Sequence, residues 1–266
     1  MNIEARNIDG KNIHDIADDK FDVVRGKLGD AGVAVNCFGS AIANWGKSIE
    51  ESFDASLAEA KRAIPRMLLL GTGLIRIMSF AVRKGHGPDD QMEAERFRRV
   101  RELVKMFSDA GLTCLHENCM NYGGMGPVYT LRLLDAVPGL KLVFDTGNPV
   151  FTDDYEKQPP YPKQSAWEFY SRVKERVAYV HIKDGRWDAK NGQMTHAFPG
   201  EGQGDVRRIL KDLLARGYDG GISIEPHLSV VFHDESVKDE AGARRANYIE
   251  YGRRLEKMIA DMRDER

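Results

Sequence analysis

One event recurs along this chain: a short apolar run that ends in a side chain able to bind a metal ion. Thr113-Cys114-Leu115-His116-Glu117 is the clearest copy. Leu142-Val143-Phe144-Asp145, Ala178-Tyr179-Val180-His181 and Gly221-Ile222-Ser223-Ile224-Glu225 follow it. Three further strand-like runs precede these, Asn2 to Ile8, Val33 to Phe38 and Leu74 to Phe80. Short apolar runs that alternate with helical patterns specify buried parallel strands in βα units. In a (β/α) barrel the carboxyl ends of the strands open on one face, where catalysis occurs. Four such ends would gather two Glu, one Asp and one His, an oxygen-and-nitrogen donor set for a divalent cation with no soft ligand.

With 266 residues and 42% hydrophobic content, the chain is expected to form one α/β domain, residues 1–266, since such a barrel takes ~250 residues. A net charge of -2 gives no basic footprint for nucleic acid. The run Arg96-Phe97-Arg98-Arg99 reads as a solvated helix face balanced by nearby acids. No apolar run of ~18 residues exists to span a membrane. The odd cysteine count (Cys37, Cys114, Cys119) points to free thiols in a reducing compartment, hence a cytoplasmic protein.

Helices are expected over Asp15 to Ala31, Ser48 to Leu70, 89–110, Pro127 to Ala136, Trp167 to Arg176, Val206 to Arg216 and Ala241 to Met262. Pro65 should kink or split the second, because it removes a backbone donor. Gly185 to Gly204 reads as a long loop. Seven strands are legible, whereas a standard barrel has eight, and the first strand–helix unit is the one missing. A start upstream, a direct pairing of the Asn2 and Glu225 strands, or a partner chain would each resolve this. The expectation is a seven-stranded or open barrel that forms a homodimer, because bare sheet edges invite association.

Each ligand candidate has an ordinary alternative. A carboxylate at a strand end often caps the next helix, and Asp145-Thr146-Gly147-Asn148 fits such a turn. His181 alone reads as a hydrogen-bonded barrel residue. Glu117 and Glu225 are harder to dismiss, because an unpartnered carboxylate near the core is costly. Four such positions at four consecutive strand ends point to a common site.

Leu115-His116-Glu117-Asn118, Val143-Phe144-Asp145-Thr146-Gly147-Asn148, Val180-His181-Ile182-Lys183-Asp184, Gly200-Glu201-Gly202 and Ser223-Ile224-Glu225-Pro226-His227 resemble the sugar phosphate isomerase/epimerase family, with its xylose isomerase-like TIM barrel. The resemblance covers essentially the whole chain. It implies one divalent ion, Mn²⁺ first and otherwise Mg²⁺, Co²⁺ or Zn²⁺, held by Glu117, Asp145, His181 and Glu225. It further implies a small carbohydrate substrate, isomerised or epimerised by proton transfer through a metal-stabilised enediolate between Glu117 and Glu225. His116, Asn148, Lys183, Arg186, His196 and His227 are candidate substrate-binding groups. The same proton abstraction also begins a dehydratase or lyase reaction on a keto-sugar or keto-inositol. The superfamily's DNA-repair enzymes carry a His three residues after the strand-end Asp, where this chain has Asn148, and this disfavours an abasic-site endonuclease. The four-ligand set argues against a non-catalytic sugar-binding barrel.

Overall fold

The computed structural model describes residues 1–228 and 242–265. Seven strands form one parallel sheet: β1 (Asn2–Ala5), β2 (Ala34–Gly39), β3 (Leu74–Ile77), β4 (Thr113–Glu117), β5 (Lys141–Asp145), β6 (Val177–Ile182) and, last in the order, Gly221–Ile224. Hydrogen bonding links them in chain order. The chain divides into two compact units, residues 1–143 with 176–178, and residues 144–175 with 179–266.

In the first unit α1 (Asp18–Asp30), α2 (Asp54–Leu70), α3 (Glu93–Asp109) and α4 (Pro127–Ala136) alternate with the strands. The run Asn2 to Ile8 is not one strand. Asn7–Ile8 turns back onto Lys11–Asn12, because Asp9 and Gly10 both adopt positive φ, 47° and 80°, as a tight hairpin turn requires. Helix α2 starts later than the expected Ser48 and continues through Pro65 without splitting. It stops at Gly71, whose φ of 65° takes the left-handed form that ends helices.

Helix α3 shows how the layer is held. Val100, Leu103, Val104 and Phe107 are buried along one face, each stabilising the fold by ~1.5–3 kcal/mol. The expectation of a solvated arginine run holds only for Arg98, which pairs with Glu95 and Glu102. Arg99 is 8% exposed and Arg96 is fully buried. Arg96 donates to the carbonyls of Ser79 at 2.6 Å, Phe80 at 3.2 Å and Ala81 at 2.7 Å. It thereby ties helix α3 to the segment that leaves β3. Burial lowers its pKa to about 10, so the guanidinium stays charged at neutral pH.

The helices of the second unit are α5 (Ala166–Val173), α6 (Val206–Ala215) and α7 (Ala243–Asp264). The Ser165 hydroxyl caps α5 by accepting from Glu168 N at 3.2 Å. The expected start of the last helix, Ala241, lies outside the described residues. The expected long loop from Gly185 is in part an antiparallel hairpin, β7 (Asp184–Asp188) with β8 (Gln193–Ala197). The Asn191-Gly192 pair before β8, with Gly192 at φ 63°, supplies the turn that the loop reading passed over. The last sheet strand, Gly221–Ile224, is β9. It pairs in parallel with β6, and all four of its residues are only half-buried.

Replacing Arg96 by Met should leave several buried carbonyls without a donor and cost about 3 kcal/mol or more. Urea unfolding of the variant measures this; a loss below about 0.5 kcal/mol would show that the carbonyls find other partners.

Candidate metal centre at the strand ends

Asp145 closes β5 and has no exposed surface. Its Oδ1 accepts from Gly147 N at 2.8 Å and Asn148 N at 2.7 Å, so the capping turn read from the sequence is present. Its Oδ2 faces Lys183 Nζ at 2.9 Å. Gly147 is required by close approach, since a Cβ there would meet Lys183 Cγ at 2.7 Å. Thr146 fastens the ends of β5 and β6 together. Its amide donates to His181 O at 3.0 Å, and its hydroxyl to Lys183 O at 2.6 Å.

His181 is fully buried on β6, with the Tyr179 ring edge-on to it. The Tyr179 hydroxyl meets Ser223 Oγ at 2.6 Å, which braces β6 against β9. Glu225 follows β9, and its amide donates to Ile182 O at 3.0 Å. Its carboxylate lies 3.2 Å from His181 Nδ1, 3.3 Å from Lys183 Nζ and 3.7 Å from His227 Nε2. One ammonium therefore serves two carboxylates.

Glu117 closes β4 and pairs with Arg76 of β3, Nη1 to Oε2 at 2.9 Å. His116 belongs to a different network: its Nε2 lies 3.0 Å from Ser79 Oγ and 2.9 Å from Asn121 Oδ1. Gly123 leaves room for that ring, because a Cβ there would stand 2.3 Å from Cε1.

Within the second unit Asp145, His181 and Glu225 each offer one donor atom, and these atoms lie within 4.8 Å of one another. Donors bonded at ~2.1 Å around one ion stand at most ~4.2 Å apart, so the widest-spaced donors would draw together on binding. Two carboxylate oxygens and one imidazole nitrogen suit a hard or borderline divalent cation. His14, Asp15 and Glu59 form a second such trio. There Arg62 already holds Asp15 and Lys47 holds Glu59, which describes an ion-pair network.

The other candidates divide. Lys183 and His227 stand at Glu225, and the His227 ring stacks on His196 at 4.9 Å. Asn148 is buried beside Asp145. Arg186 is exposed on the hairpin and donates to Glu201 O, so it is not gathered with them. The sequence reading missed Arg76 and Asp184. The Asp184 carboxylate is 1% exposed and accepts from the amides of Gly185, Gly200, Gly202 and Gly204 at 2.8–3.0 Å. A Cβ at Gly202 would meet Asp184 Oδ1 at 2.1 Å. The alternating glycines after His196 were the available signal.

Burial holds His14 and His116 down to about 4 from 6.5. The unfolded chain then binds more protons than the native one between those values. Stability is therefore full above about pH 6.5 and falls as pH drops toward 4. His116 contributes at most about 3 kcal/mol to that slope, and His116→Asn should flatten it in urea titrations; an unchanged slope would remove His116 from the account. Lys183 competes with any cation for Asp145 and Glu225. Lys183→Met should tighten Mn²⁺ binding at least about tenfold by calorimetry, and weaker binding would refute the competition.

A family model described as xylose isomerase-like TIM barrel matches residues 3–247. No curated protein matches the chain significantly. Among solved structures, a xylose isomerase-like TIM barrel protein from Mycobacterium smegmatis in complex with magnesium superposes with a TM-score of 0.69 at 20% identity, covering 97% of this chain and 84% of that one. An L-ribulose 3-epimerase gives 0.62 at 14% identity, covering 99% and 85%. The probable 3-DHS dehydratase of petrobactin synthesis from Bacillus anthracis gives 0.58 at 15% identity, covering 77% and 76%. Identities this low carry the fold alone, but the family model spans nearly the entire sequence. The chain belongs to the xylose isomerase-like TIM barrel family.

Proposed function

We propose that the protein is a metal-dependent isomerase or epimerase of a small sugar, sugar phosphate or keto-sugar. The observation that carries this reading is the trio Asp145, His181 and Glu225, whose donor atoms lie within 4.8 Å of one another, to which the family resemblance adds Glu117 as the fourth ligand. The set favours Mn²⁺, with Mg²⁺, Co²⁺ or Zn²⁺ as alternatives. A divalent ion, when bound, supplies Lewis-acid polarisation of a substrate carbonyl, which makes the neighbouring C–H acidic enough to lose its proton.

The chain's own groups do the rest. One of Glu117 and Glu225 takes the proton from the carbon beside the carbonyl, and the other returns a proton to the opposite position or face. Lys183, whose Nζ lies 3.3 Å from Glu225 Oε2, places a positive charge where negative charge grows on the substrate oxygens. His227, stacked on His196, and Asn148 supply hydrogen-bonding groups for hydroxyls. No helix among the described residues is long and apolar enough to cross a membrane. The three cysteines are free and buried, which suits a reducing cytoplasm. β1 and β9 stand at the two ends of the sheet order, the basis for proposing a homodimer.

A second reading is a dehydratase, favoured by the structural likeness to a probable dehydratase. It shares the first proton abstraction and differs in expelling a β-leaving group. Incubation in D₂O with a panel of ketoses and keto-sugars distinguishes the two: deuterium incorporation with interconversion marks the isomerase, elimination the lyase. Glu117→Gln and Glu225→Gln should each lower the exchange rate by about 10²–10⁴-fold, with metal content measured beside the rate. Near-normal exchange in either variant that retains its metal would end the two-carboxylate scheme.

A further inference from the structure

Arg76 contributes no donor atom to the proposed centre, yet it is the cation that meets Glu117. We infer that Arg76 is a positioning residue, fixing the Glu117 carboxylate in the orientation that presents a donor atom to the metal; this rests on the metal-centre reading above. Both side chains are 2% exposed. Arg76 Nη1 donates to Glu117 Oε2 at 2.9 Å, and Nη2 donates to Ser40 O at 3.2 Å. Ser40 closes the arrangement from the other side: its hydroxyl donates to Arg76 O at 2.5 Å and accepts from Ile42 N at 3.3 Å.

The strand register explains the residue type. Arg76 lies beside Gly39 on one flank and Leu115 on the other. Glu117 is therefore two positions beyond its neighbour, ~6.6 Å along the strand. A long side chain with two rigidly related N–H vectors can span that distance, anchor on a carbonyl and orient a carboxylate with the remaining vector. Without it, the Glu117 side chain can redistribute among its staggered rotamers. Ligands that lose such outer partners typically bind metal 10–100-fold more weakly.

A role through charge alone gives the opposite sign. A guanidinium repels a divalent cation, so its removal would tighten binding. The direction of the change therefore separates orientation from simple charge. A merely structural role is separated by a double-mutant cycle, since a residue acting only through Glu117 has nothing further to lose once Glu117 is altered.

The experiment is calorimetric titration of Mn²⁺ into the wild type, Arg76→Met, Arg76→Gln, Arg76→Lys, Glu117→Gln and the Arg76→Met/Glu117→Gln double variant, with a thermal melt of each. The wild type should bind one equivalent. Arg76→Met and Arg76→Gln should bind about 10–100-fold more weakly while still melting cooperatively, and Arg76→Lys should recover part of the loss. The double variant should bind no more weakly than Glu117→Gln. If the Met variant does not fold, Gln and Lys at this position decide on the same criterion. Affinity within about threefold of wild type, tighter binding, or losses that multiply in the double variant would each overturn the assignment while leaving the metal-centre reading intact. A wild type that binds no Mn²⁺ overturns that reading and this inference with it.

Discussion

Carboxylates stand at or just past the ends of buried strands in this chain, and taking one out of water costs several kcal/mol unless cations or hydrogen-bond donors replace the solvent. Each is answered by a different device. Glu117 is met by Arg76. Asp145 combines two backbone amides with Lys183, and the same ammonium serves Glu225. Asp184 accepts from four peptide amides. Much of the local architecture follows from delivering those partners. Thr146 clamps β5 to β6, Gly147 admits the Lys183 stem, and Ser40 aims Arg76.

The bland and the functional readings of Asp145 turn out to be compatible. One of its oxygens caps the turn that follows β5, and the other faces the Lys183 ammonium. Capping fixes the carboxylate plane, so turn chemistry at Asp145 is compatible with the donor role proposed for it. An Asn at such a position would preserve the turn's shape and discard the charge.

The strand ends were legible because a parallel strand leaves an unbroken apolar run with an abrupt polar terminus, a local signal. Arg76 was not. It sits inside Leu74-Ile75-Arg76-Ile77, and its partner is 41 positions away, a pairing that no local periodicity encodes. Arg96 was misread for a related reason: three arginines in four residues look solvated, and only the rotation of α3 against Ser79, Phe80 and Ala81 decides which of them goes inside. The hairpin β7–β8 had a usable signal in Asn191-Gly192, masked by the polar composition around it. Helix starts drifted where Ser48 to Phe53 formed turns before α2.

The amides that converge on Asp184 come from alternate residues of one loop, Gly200, Gly202 and Gly204, as well as from Gly185. The intervening residues therefore direct their side chains away from the carboxylate: Glu201 to Arg254, and Gln203 to the Trp187 amide. The loop thus separates inheritance from novelty along its own length. Gly202 and Gly204 are held to glycine by the carboxylate they enclose and Gly200 by its positive φ, while the odd positions can exchange side chains without disturbing the backbone. Substitutions at 201 and 203 would alter the contacts to Arg254 and the Trp187 amide and leave the backbone cage around Asp184 in place.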